Sequence, residues 1–140
     1  KKQGRHYAMA LNFPDVGENL ALEMIVNKTA PQNLTLKLYK NNITPSDTDT
    51  AATYTEATFG GYASIGLTGS SWNTASSGTI TYGAQQTFTC NATATDDIYG
   101  YYVVQTISGT LLYSERDSNA PLAIRNSGDA IKLTPTISAN

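Results

Sequence analysis

The chain has 140 residues, 40% of them hydrophobic and only 14% charged, with a formal net charge of -2. That length suits one domain around one modest core rather than two domains. The low charge argues against charge-driven disorder, and without a basic block beyond the first residues there is no electrostatic footprint for a nucleic-acid backbone or an anionic membrane.

No run reaches the roughly 18 apolar residues that cross a bilayer. The polar start Lys1-Lys2-Gln3-Gly4-Arg5-His6 is not followed by the apolar stretch of a signal peptide, so export is not predicted. Residues 1–8 read as a polar basic arm without periodicity, and residues 9–140 as a single β-rich domain. From Pro14 the chain suits a helix start, and Leu20, Met24 and Ile25 are read as one face of a short helix ending near Val26. Pro31 and Asn33 break it. Leu34-Thr35-Leu36-Lys37-Leu38-Tyr39-Lys40 then alternates apolar with polar side chains, the period of a half-buried strand.

Residues 41–50 combine Asn, Thr, Pro, Ser and Asp, whose short side chains bond their own backbone, and predict an exposed loop. Short strands are expected at Tyr54–Glu56 and Tyr62–Leu67. Trp72, in a Gly- and Ser-rich stretch, is expected to anchor packing. Thr79–Tyr82 and Gln85–Ala92 read as strands with a tight turn at Gly83-Ala84 between them. Ile98–Ile107 is the longest apolar strand, and Ser108-Gly109 turns it into Thr110–Arg116 as a central hairpin. Residues 117–128 read as a loop. A terminal strand follows at 130–137, interrupted at Pro135. Seven or eight short strands and one helix that does not alternate with them predict a mainly β fold, a β-sandwich or jelly-roll-like single domain with one short N-terminal helix.

Catalytic chemistry is sparse. His6, the only histidine, falls in the arm, which makes an exposed basic residue the better reading than a general base, and no Gly-x-Ser-x-Gly elbow is present. Cys90, the only cysteine, precludes an intrachain disulfide and reads as a buried thiol in a strand, since no base stands beside it in sequence. The acidic pairs Asp47/Asp49, Asp96/Asp97 and Glu115/Asp117 lack a calcium-ligand ladder and read as turn formers and solvated groups. Eleven Asp and Glu always yield a pair that mimics a glycosidase, so the spacing carries no weight for hydrolysis. The Asn-x-Thr sites at 27, 33, 42 and 91 are those expected of a chain rich in Asn and Thr. No catalytic, cofactor or metal residue is assigned. Tyrosine and tryptophan are enriched at protein interfaces and stack on sugars, so Trp72, Tyr99 and Tyr101 are candidates for a binding surface, beside Lys1, Lys2, Arg5 and His6 of the arm.

Pro14-Asp15-Val16-Gly17-Glu18, Asn33–Tyr39, Asn42–Thr50, Gly60-Gly61-Tyr62-Ala63, Ala84–Thr89 and Tyr99-Gly100-Tyr101-Tyr102-Val103 together resemble small virion proteins of tailed bacteriophages, a likeness spanning most of residues 9–137. The resemblance implies a non-enzymatic role made in the host cytoplasm and exercised on the virion. That role is a capsid decoration or cement protein seated over junctions of the major capsid protein, as a homo-oligomer such as a trimer. The competing expectation is a phage tail or fibre module that binds a host-surface glycan through exposed aromatics.

Overall fold

The computed structural model describes residues 11–139. The basic arm, with Lys1, Lys2, Arg5 and His6, lies outside the described residues. The rest is mainly β with a single α-helix, as the sequence predicts.

Helix α1 spans Asp15–Ile25. Pro14 precedes it with extended geometry, and its carbonyl accepts from Gly17 and Glu18 N–H. Asp15 and Glu18 place negative charge in the first turn, where the helix dipole favours it. The helix ends as Asn27 takes a left-handed φ of 60° and Lys28 N–H bonds back to the Glu23 carbonyl. Gly17 and Leu20 are buried and Met24 packs on the main core. Ile25 is a correction to the single face expected of Leu20, Met24 and Ile25: it is 78% exposed where Leu20 is buried. At about 100° per residue, five positions from Leu20 carry it well round the helix.

A four-stranded antiparallel sheet forms the centre, in the order β2 (Ile65–Leu67), β1 (Leu34–Tyr39), β6 (Gly100–Gln105), β7 (Leu111–Arg116). The β6–β7 pair is the predicted central hairpin, turning through Gly109 at φ 73°. A bulge between Val103 and Val104 brings Leu112 to the same core cluster as Tyr113. Three two-stranded ribbons complete the domain: β3 (Thr79–Thr81) with β10 (Thr136–Ser138), β4 (Gln86–Thr89) with β9 (Ala130–Leu133), and β5 (Asp97–Ile98) with β8 (Leu122–Ala123). Single turns of 3-10 helix sit at Ala51–Thr53 and Gly69–Ser71.

Several local expectations are thereby corrected. Gly83-Ala84 does not close a hairpin, because β3 and β4 pair with β10 and β9 instead. Near Tyr54–Glu56 only an isolated bridge from Glu56 to Tyr39 forms, and the strand expected from Tyr62 begins at Ile65. The expected loop 117–128 contains β8. Pro135 does interrupt the last strand, and each half then finds its own partner.

The two faces of the sheet carry two cores. On one, Leu36, Leu38, Val103 and Tyr113 pack with Leu20, Phe59, Phe88, Cys90, Ile98 and Ile124 from the helix, loops and ribbons. On the other, Tyr39, Tyr54, Tyr102, Val104 and Leu111 form a smaller cluster in which Tyr54 and Tyr102 stack at 4.9 Å. Cys90 is a buried free thiol that bonds the Ala92 carbonyl, in line with the structural role expected of it.

Candidate functional site

Strand pairing sets Tyr101 directly across from Glu115. Both side chains therefore project from the same face of the sheet. The Tyr101 hydroxyl donates to Glu115 Oε1 at 2.7 Å. Gly100, one residue earlier, has its α-carbon against the Glu115 backbone: a Cβ there would lie 2.1 Å from that carbonyl oxygen. The sheet can close this tightly only because position 100 has no side chain.

Above this pair lies a cavity of about 560 Å³. Its floor is Leu38, Ile98, Gly100 and Tyr101, and its far wall comes from Leu122–Ile124 and Ala130–Thr134. The wall is held in place by β5–β8 pairing, by Ile124 N–H to the Asp96 carbonyl, and by β4–β9 pairing. The volume lies within the roughly 300–1,000 Å³ of small-molecule sites, and a mostly aliphatic lining with a few convergent polar groups is their usual composition. Those polar groups are Tyr101, Glu115, Asp117, Asp129, Lys132 and Thr134.

The electrostatics of the lining are uneven. Burial pushes the Glu115 carboxyl up from its ordinary range; the Tyr101 hydrogen bond opposes this and nearby Asp117 adds to it. Asp129 is held below the ordinary carboxylate range by the N–H groups of Arg125 and Asn126, which its Oδ2 accepts. Asp117 Oδ1 accepts from Asn119 N–H. Among the described residues no Lys or Arg lies in ion-pair contact with Glu115. Arg116 points away from it, donating to the Ile43 carbonyl and Asn42 and lying over the Tyr99 ring. Arg125 is committed to Asp97 at 2.6 Å.

A second feature is apolar surface. Leu22, Ile25 and Val26 are 62%, 78% and 71% exposed, and their spacing of three and four places them on one stripe at the end of α1, with Val26 as its C-cap. Ile107, at the tip of the β6–β7 turn, is 86% exposed. That turn is tied to the segment leaving α1, since Thr106 N–H bonds the Asn33 carbonyl and Ile107 N–H bonds Gln32 Oε1.

The sequence-predicted binding aromatics are not brought together as one surface. Tyr101 is turned into the cavity, and burial holds its hydroxyl protonated far up the scale. Trp72 packs edge-on to Tyr82 at 5.2 Å and against the main core, the anchoring role predicted for it. Tyr99 is half-buried beneath Arg116. Of the acidic pairs, Asp49 is a buried turn former: it accepts from Ser46 and from Tyr54. Asp96 binds Thr58 N–H and Lys40, and Asp97 binds Arg125. Among the described residues no group of three His, Cys, Asp or Glu side chains is arranged to hold a metal ion. Sequence reasoning missed the cavity itself. The available signals were Tyr101, singled out by residue type, and the two-residue spacing of Glu115 and Asp117, although Asp117 lies just past the end of β7.

No known family model matches the chain, and no curated protein matches it in sequence.

Proposed function

We propose that the chain is a non-enzymatic structural component of a virion, a capsid decoration protein that adds contacts across junctions between subunits of the major capsid protein. The observation that carries this reading is the exposed apolar stripe made by Leu22 and Ile25 of α1 with Val26, the residue that caps it. Large aliphatic side chains scattered singly are ordinary on a surface, but three on one helical stripe are a cost in water that a partner removes. The resemblance of residues 14–18, 33–39, 42–50, 60–63, 84–89 and 99–103 to tailed-phage virion proteins supplies the kind of particle. A decoration protein works by burying surface at a junction, so that opening the shell also breaks its contacts, and many symmetric copies multiply a modest energy per site. The glycan-binding alternative has less support, because Trp72 and Tyr99 are each occupied by an internal partner.

The test is cosedimentation of the purified chain with capsids that lack it. Saturable binding at a fixed ratio to the major capsid protein is expected. The double variant I25K/V26K should weaken it at least tenfold with an unchanged circular dichroism spectrum, and removal of residues 1–8 should weaken it as well. Absence of binding by the unaltered chain overturns the proposal.

A further inference from the structure

The cavity beneath β8 and β9 is used by nothing in the decoration reading. It has three properties that bear on an occupant. Its body is aliphatic, walled by Leu38, Ile98, Leu122, Ile124, Ile131 and Leu133. One end carries the carboxyl of Glu115, fixed in place by the Tyr101 hydroxyl at 2.7 Å. Among the described residues no Lys or Arg is in ion-pair contact with that carboxyl: Arg116 and Arg125 are directed to other partners, and Lys132, which also lines the cavity, is exposed.

We propose that this cavity binds a small organic cation, an ammonium head on an apolar body, with the head on Glu115 and the body against the aliphatic wall. A half-buried carboxylate is costly when it has one hydroxyl donor and no counter-charge, and a cation placed beside it recovers that cost at a low local dielectric. An anionic head would meet Glu115, Asp117 and Asp129 together. A neutral hydroxyl would bond Glu115 but leave its charge uncompensated. Tyr101 acts as a positioning residue, since its hydroxyl holds the carboxylate in one orientation and leaves the second oxygen for the ligand.

Three probes that share one indole body separate these cases: tryptamine, its neutral alcohol tryptophol, and indole-3-propionate. Titration calorimetry of the full chain should give tryptamine the tightest binding, at least tenfold tighter than tryptophol, with indole-3-propionate weakest. The variant E115Q keeps the shape of the side chain and should bring tryptamine to the level of tryptophol while leaving tryptophol unchanged. L122W, at a half-buried position of the wall whose side chain shares its face with Ile98, should block all three, which assigns the binding to the cavity. Tryptophol binding as tightly as tryptamine, tryptamine binding unaltered by E115Q, or no binding of any probe each overturns the proposal. None of these outcomes depends on capsid binding, so this site and the decoration role stand or fall separately.

Discussion

The Tyr101 hydroxyl and Glu115 Oε1 meet at 2.7 Å across two adjacent strands, and this contact holds a carboxyl group at the edge of an apolar cavity. Burial raises the Glu115 pKa in the folded state. A raised carboxyl pKa means that the fold binds the proton more tightly than the unfolded chain does. Its stabilising contribution is therefore full below the unfolded value of about 4.3 and is lost as pH rises through the higher folded value. E115Q, which cannot ionise, should thus match the unaltered protein near pH 4 and exceed it in stability at neutral pH. Urea denaturation across that range measures the difference, and a gap independent of pH would contradict it. Y101F removes the only hydroxyl donor to this oxygen among the described residues and should cost about 2 kcal/mol at pH 7, in the range for a hydrogen bond to a charged group.

Two buried tyrosines should respond in opposite directions to loss of the hydroxyl. Tyr54 bonds Asp49 Oδ2 at 2.7 Å and Ser114 Oγ at 2.8 Å, pinning the 41–50 loop to β7. Y54F leaves a buried carboxylate and a buried serine short of a partner and should cost about 1–3 kcal/mol. The Tyr113 hydroxyl is buried without a hydrogen-bond partner among the described residues. Y113F therefore removes an unsatisfied group and should be neutral or stabilising by up to about 1 kcal/mol. Chemical denaturation of both variants decides the matter: equal losses would mean that the two hydroxyls are not distinguished by their partners.

Three glycines with different surroundings give a second contrast. A Cβ at Gly100 would stand 2.1 Å from the Glu115 carbonyl oxygen and 2.8 Å from the Tyr39 ring. At Gly17 it would stand 2.0 Å from the Leu112 carbonyl oxygen, where α1 lies on β7. Backbone atoms on both sides cannot retreat cheaply, so G100A and G17A should each cost about 3 kcal/mol or more. Gly66 has nothing within 4 Å of the same position. G66A should change the stability by less than about 1 kcal/mol, with the gain coming from a less flexible unfolded chain. Thermal denaturation of the three variants tests the ranking.

The legible parts of the fold are those written locally. Leu34–Tyr39 alternates, and Tyr101–Gln105 runs through a Gly-containing turn into Leu111–Arg116, so β1 and the hairpin follow from short-range pattern. The ribbons were not legible because their strands have two to four residues and partners 24 to 59 positions away, as in Ile98 with Leu122 or Thr79 with Ser138. No period develops over so few residues. The cavity inherits that opacity, since its floor and its wall belong to different pairings. Tyr101 was singled out for its residue type, but its face could be known only once its register against Glu115 was known.

Alkaline pH should unfold the domain through its tyrosines. Desolvation raises Tyr39 and Tyr102 to about 12, with Arg116 partly opposing it at Tyr39, and burial raises Tyr54, Tyr62, Tyr101 and Tyr113 as well. The unfolded chain releases the same protons near pH 10. The sign follows: below pH 10 both states hold the protons and nothing is lost, whereas above it the unfolded state gains by ionising while the folded state resists, and stability falls until the folded values are reached. Tyrosinate absorbance from these side chains should therefore rise in one cooperative step that coincides with loss of the β-sheet circular dichroism signal. Gradual ionisation of all of them near pH 10 with the sheet signal intact would show that they are not held in the two cores described.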